Sequence, residues 1–150
     1  MPVLRFILGS KSDEAVCQPG LELLKEFGVD YDYYVSSAHR NPEKTTLLAK
    51  NAEAEGIKVI IAAAGMAAHL PGVVAAHTCL PVIGLPIASG ALQGVDALYS
   101  IVQMPPGVPV AGVGIGSARN AALLAIQILA TTDPVLREKF RAYKASLAGK

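Results

Sequence analysis

Charge of either sign is scarce in this chain. Charged side chains make up 17% of its 150 residues, against roughly 25% in ordinary globular chains. The balance between them is a formal +1, so no basic or acidic field exists to recruit nucleic acid. Long apolar runs are missing as well. The most apolar region, Val59 to Leu80, is interrupted by Gly65, His69, Pro71-Gly72 and His77, and nothing reaches the ~18–20 residues that a membrane-spanning helix needs. Cysteine is limited to Cys17 and Cys79, isolated from each other and in no metal or redox spacing, which reads as idle thiols in a reducing compartment. No metal site is expected. The opening Met1-Pro2-Val3-Leu4-Arg5 lacks a signal-peptide layout, so a cytoplasmic location is expected.

What is present is apolar surface: 52% hydrophobic residues and a mean hydropathy of +0.42. A chain with so little charge and no membrane span hides surface against copies of itself, and a homo-oligomer is the expected assembly. The length suits one domain over residues 1–150.

Taken in order, Val3 to Leu8 reads as a buried strand ending at Gly9. Gly9-Ser10-Lys11-Ser12-Asp13 is a turn in which Ser12 or Asp13 can cap a helix reaching Phe27. Pro19-Gly20 falls inside that helix and predicts a kink, or a helix that starts near Pro19. Tyr31 to Val35 is the second strand. Asn41 and Pro42 then cap and open a helix running to Gly56. Lys58 to Ala63 and Pro81 to Leu85 are apolar on both faces, as central parallel strands are. A short helix is expected near Val73 to His77, another over Val95 to Val102, a fifth strand over Val108 to Val113, and a helix over Ala118 to Ala130. From Pro134, the spacing of Leu136, Phe140, Tyr143 and Leu147 predicts a last helix, able to pack on its own sheet or to dock on a neighbouring subunit. The alternation predicts a three-layer α/β/α sandwich with a central parallel sheet, flavodoxin- or Rossmann-like.

In such sheets ligands sit beyond the carboxyl ends of the strands. The segments found there are Gly9–Asp13, Ser36–Arg40, Ala64–His69, Ala88–Gly90 and Gly114–Ser117. Ser10-Lys11-Ser12-Asp13 offers hydroxyls and free N–H groups for an anion, or is an ordinary capped turn; it lacks the spacing of a Walker loop. Gly112 to Ser117 imitates a dinucleotide fingerprint but has serine where its last glycine belongs and lies far from the first strand, which rejects NAD. His39 is a titratable group at a strand end beside Arg40, a permanent cation built to grip phosphate or carboxylate. His69 sits in a Gly/Ala-rich loop, where it either touches a ligand or braces the loop; His77 reads as structural.

Together, Gly9-Ser10-Lys11-Ser12-Asp13, Ser37-Ala38-His39-Arg40, Ala67-Ala68-His69-Leu70-Pro71-Gly72, Gly94-Val95-Asp96 and Ser100 to Pro105 resemble the N5-carboxyaminoimidazole ribonucleotide mutase family. The match continues through Asn120 to Ala125 and Gln127 to Thr131, and covers nearly the whole chain in order. The resemblance implies a cofactor-free enzyme of purine biosynthesis that moves a carboxylate from N5 to C4 of a ribonucleotide. It further implies a homo-octamer whose C-terminal helix, residues 131–150 here, reaches over neighbours. Carried over by position, His39 is the general acid/base, and Ser10, Ser12, Asp13, Ser37, Arg40, Gly65, His69 and Ser89 are substrate contacts. The pocket formed by Ala63 to Ala68 would hold CO2 away from water.

A related branch carboxylates the amine directly with CO2. It typically has lysine after the histidine and a replaced Ala-Ala-His-Leu-Pro-Gly segment, so Arg40 and the intact segment favour the mutase. Three departures from the family stand out: Ala63-Ala64-Gly65-Met66 in place of Gly-Ala-Gly-Gly, a shortened Gly114–Asn120 turn carrying Arg119, and Ala88 in place of glutamine. Alternative readings are the direct carboxylase, a paralogue acting on another nucleotide, or a regulatory subunit that binds a nucleotide without chemistry.

Overall fold

The computed structural model describes all 150 residues. Its strands are β1 (Leu4–Leu8), β2 (Tyr31–Val35), β3 (Val59–Gly65), β4 (Val82–Ile87) and β5 (Ala111–Gly112). Every pairing is parallel, in the order β2-β1-β3-β4-β5. The helices are α1 (Glu14–Glu26), α2 (Pro42–Lys50), α3 (Leu70–Ala76), α4 (Val95–Val102), α5 (Ala118–Ala130) and α6 (Pro134–Leu147). The expected three-layer arrangement is present.

Alternate residues of the central strands feed two cores. Leu4, Phe6, Leu8, Ile61, Ala63 and Leu85 face α1 and α5, while Ile7, Ile60, Ala62 and Ala64 face α2, α3 and α4. Both faces being covered, β1 and β4 are buried from end to end.

Arg5 stands among those apolar residues at 1% exposure. Its Nε and Nη2 donate to the Asp32 carboxylate at 3.0 and 2.7 Å, Nη1 donates to the Leu48 carbonyl at 2.8 Å, and Nη2 also meets Glu55. The guanidinium lies 5.1 Å from the centre of the Tyr34 ring. Every buried side-chain polar atom is partnered, which is what burying such a group requires.

Several boundaries differ from expectation. The helix after Gly9 runs unbroken through Pro19. The carbonyl that Pro19 leaves unpaired belongs to Ala15, and both residues are exposed, so water can satisfy it. Gly20 has a separate reason: a Cβ there would stand 2.6 Å from the Ala118 carbonyl oxygen, so glycine lets α1 lie directly against the start of α5. The second helix stops at Lys50, and residues 51–56 are turns. The third helix begins earlier, at Leu70, and β3 and β4 each extend two residues further than expected.

The fifth strand shrinks to Ala111–Gly112, because Pro109 cannot donate to a ladder and only the sheet edge remains. Helix α6 packs within the chain, with Leu136 buried and Phe140 and Tyr143 against Phe27 at ring-centroid distances of 6.5 and 5.7 Å. Val135 and Leu147 on the same helix stay exposed.

Gly20→Ala is expected to destabilise the protein by about 1–3 kcal/mol, the usual cost of overpacking. Urea denaturation checks this through a lowered midpoint; an unchanged midpoint would show that α1 and α5 can part freely.

Candidate functional site

The register of β1 sets the site. Leu8 pairs with Val35 on one side and with Ala63 on the other. The ladder continues one step beyond, from Ser36 N–H to the Leu8 carbonyl and from Gly9 N–H to the Ala63 carbonyl, each 2.9 Å. Three loops therefore leave the sheet at one level, at the point where the strand order reverses direction. They enclose a cleft of about 500 Å³.

The loop after β2 is held from below. Ser36 is buried, and its hydroxyl donates to Thr45 Oγ1 at 2.8 Å, since the Thr45 proton is used on the Asn41 carbonyl at 3.1 Å. Asn41 Oδ1 accepts from Lys44 N–H and caps α2. Ser37 Oγ accepts from Arg40 N–H at 3.1 Å and from Arg40 Nε at 3.4 Å. Arg40 makes no ion pair within the chain, so its charge is available to an anion.

His39 and His69, the latter on the loop after β3, meet across the cleft. His39 Nε2 lies 2.8 Å from His69 Nδ1, with the rings 4.9 Å apart and nearly perpendicular at 81°. One hydrogen sits between the two nitrogens, so each ring fixes the tautomer of the other. His69 therefore lines the cleft and contacts His39 across it. His77 ends α3 away from the cleft.

On the third side, Ser10 Oγ lies 2.8 Å from Ser12 Oγ and accepts from Ser12 N–H at 3.4 Å. Ser10 is thus the cap of a short 3₁₀ turn, Lys11–Asp13, and Asp13 takes the N-cap position of α1 expected of Ser12 or Asp13. Asp13 precedes α1 without a capping bond. Its carboxylate lines the cleft, and partial burial raises its pKa from the ordinary aspartate value.

Gly65 lets Ser89 approach closely. A Cβ there would run into Ser89 Oγ, which reaches across from the loop after β4. Next to it, Met66 adopts a left-handed backbone with φ of +54°, a conformation that costs a side chain of order 1–3 kcal/mol.

All nine candidate residues, His39, Ser10, Ser12, Asp13, Ser37, Arg40, Gly65, His69 and Ser89, line this one cleft, together with Gly9, Ala38, Ala64, Met66, Ala67 and Leu70. The fifth expected segment does not: Gly114–Ser117 lies beyond β4, two strands from β3, and packs by Gly116 N–H onto the Pro86 carbonyl at 2.8 Å. Of the three departures, only Met66 reaches the cleft; Ala88 and Arg119 are outside it.

The Ser36–Thr45 bond beneath the loop has no signature in the sequence, because both residue types are common in turns and helix starts. A smaller hollow of about 240 Å³ beside α6 holds no histidine, and its Lys139 is engaged with the Phe27 carbonyl. Cys17 is buried on the inner face of α1, where desolvation pushes its thiol up to about 12, in keeping with an idle group.

The sequence model of the AIR carboxylase family matches residues 3–150. The chain belongs to that family. An N5-carboxyaminoimidazole ribonucleotide mutase of Pyrococcus abyssi is 54% identical over 147 residues, 98% of this chain and 84% of that one. A phosphoribosylaminoimidazole carboxylase of Ogataea methanolica is 53% identical over 133 residues, which are 89% of this chain and 24% of that protein. Among solved structures, Treponema denticola PurE superposes with a TM-score of 0.89 at 31% identity, covering 99% of this chain and 93% of that one. The expected sheet and its helices are thus those of the AIR carboxylase family.

Asp13 carries a stability consequence. A carboxyl with a raised folded-state pKa binds its proton more tightly when folded, so its effect on stability turns unfavourable as pH rises through its titration range. Asp13→Asn is therefore expected to raise the melting temperature of the ligand-free protein at pH 7, with the gain vanishing in acid. A melting series over pH checks this, and a gain independent of pH would contradict it.

Proposed function

We propose that this chain is an N5-carboxyaminoimidazole ribonucleotide mutase, an isomerase of purine biosynthesis working in the cytoplasm. It would move the carboxylate of its substrate from N5 to C4 without a cofactor. The observation that carries the reading is the 2.8 Å His39–His69 contact in a cleft that also holds Arg40, Asp13 and four serines. A proton-transfer group and an anion grip stand side by side there, and relatives bearing the mutase name are 52–54% identical over most of the chain.

The chemistry needs a proton moved twice. As the N5–carboxyl bond breaks, its electron pair stays on N5, which takes a proton, and CO2 is released. C4 then attacks CO2 to form the new carbon–carbon bond, and loss of the C4 proton restores the aromatic ring. His39 is suited to deliver the first proton and remove the second, with His69 orienting its imidazole. Arg40 would hold phosphate or carboxylate as a charge-assisted partner. Ser10, Ser12, Ser37 and Ser89 would supply hydroxyls, Asp13 would accept from the ribose hydroxyls, and Gly65 would let the substrate approach the backbone. No step leaves an unbalanced electron pair, so no redox partner is needed.

A second reading, direct carboxylation of the amine, draws support from the Ogataea methanolica relative's name. Purified protein given the N5-carboxy compound is expected to convert it to the C4 acid. Given the amine with low bicarbonate, it is expected to be much slower; the opposite pattern would sink the mutase. His39→Asn is expected to keep nucleotide binding while losing roughly a hundred- to ten-thousand-fold in turnover, measured by steady-state assay and equilibrium binding.

The protein is further proposed to work as a homo-oligomer, an octamer by resemblance, with the C-terminal helix contributing to contacts between copies. Leu92, Val95, Tyr99, Val102 and Ile115 are exposed around α4 and the end of the sheet, and Val135 and Leu147 on α6, apolar side chains that a contact between copies would cover. Tyr99→Glu, at a side chain 61% exposed, is expected to shift sedimentation to smaller species. An unchanged profile would place the interface elsewhere.

A further inference from the structure

Met66 is one of two non-glycine residues with a positive φ; the other is Gln93 at +55°. Met66 is also the departure from the family that reaches the cleft. Its side chain leaves the loop after β3 and lies over Gly90 in the loop after β4. A Cβ on Gly90 would stand 3.6 Å from Met66 Cγ and 3.7 Å from both Sδ and Cε. Gly90 has φ of +71° and no side chain, so the thioether rests on bare backbone, one residue past Ser89. Ala64, Gly65 and Ala67 line the same cleft, with Ser89 Oγ against Gly65, and the Met66 side chain is 57% exposed at its mouth.

We propose that Met66 is a positioning residue that roofs this corner of the cleft and keeps the released carboxyl carbon, as CO2, beside the attacking C4. The inference rests on the mutase reading and adds a role for a residue outside the acid–base and anion-binding set. A thioether offers CO2 neither a strong hydrogen bond nor a nucleophile, and it displaces the water that would hydrate it. Its unbranched chain can swing aside to admit a nucleotide, and the glycine beneath leaves room for it to close. The left-handed backbone directs the side chain across to the facing loop.

The test follows the fate of the carboxyl group. The N5-carboxy substrate, isotopically labelled in that group, is turned over in unlabelled bicarbonate. The label kept in the C4 acid and the free amine released per turnover are then measured, against an enzyme-free control. Met66→Gly relieves the backbone and is expected to fold; it should release about five-fold or more free amine per product and dilute the label. Met66→Leu, which keeps the bulk, should stay within about two-fold of the parent on both counts. A purely structural role for Met66 would move melting temperature or overall rate but not this partition. If Met66→Gly melts normally and partitions like the parent, or if Met66→Leu leaks as much as Met66→Gly, the roof is refuted. A parent protein that leaves the N5-carboxy substrate unconverted refutes the mutase reading and the roof with it. Turnover with a partition indifferent to residue 66 removes the roof alone.

Discussion

Leu8 is paired on both sides at once, to Val35 and to Ala63, and the placement of the cleft follows from that double register. Parallel strands end together only if their pairing is in step. Here the ladder bonds extend past Leu8 to Ser36 and Gly9, so the three loops start from a common level. A slip of one residue would turn every side chain of the moved strand to the opposite face. It would also shift His39 by about 3.3 Å along the strand, more than the 2.8 Å that separates it from His69. The contact between two loops 30 residues apart in sequence is therefore a consequence of the sheet.

Arg5 protects that register where it is weakest. β2 lies at the sheet edge with every residue only half-buried, yet it carries the His39 loop. Asp32 sits directly opposite Arg5 in the pairing, and Glu55 and the Leu48 carbonyl close the guanidinium from the segment after β2. If β2 slipped by one residue, a tyrosine would face Arg5 and leave a buried cation short of its partner. Buried ion pairs add little net stability compared with apolar packing, but breaking one is costly. At this site that asymmetry penalises wrong registers more than it rewards the right one, which is what an edge strand bearing a functional loop needs.

The same physics divides what was legible in the sequence from what was not. β1, β3 and β4 could be read because burial on both faces leaves continuous apolar runs, and α4 and α5 because their periodicity is clean. The nine candidate residues could be listed because strand ends and family motifs coincide. Their juxtaposition was not readable: nothing local links His39 to His69, or Arg5 to carboxylates 27 and 50 residues away. Val108 to Val113 misled because its composition suits a strand, while Pro109 and the edge position leave two residues paired. Pro19 misled in the opposite direction, since its cost depends on whether the freed carbonyl faces water. That is a fact about the folded surface.

The cleft gathers features that stability alone does not call for. Elsewhere Arg5 is fully partnered and no buried side-chain polar atom goes unmet, and the one other non-glycine residue with a positive φ is Gln93. Around it, Asp13 carries a carboxyl disfavoured by burial, Met66 holds a backbone better suited to glycine, and Arg40 presents a cation with no partner in the chain. Each could be relieved by a single substitution, and all three line one cavity. A protein selected for stability alone would lose such features one by one. An anionic, sugar-bearing ligand with a group to be shielded from water, as the proposed function expects, would engage the carboxylate, the cation and the strained loop together.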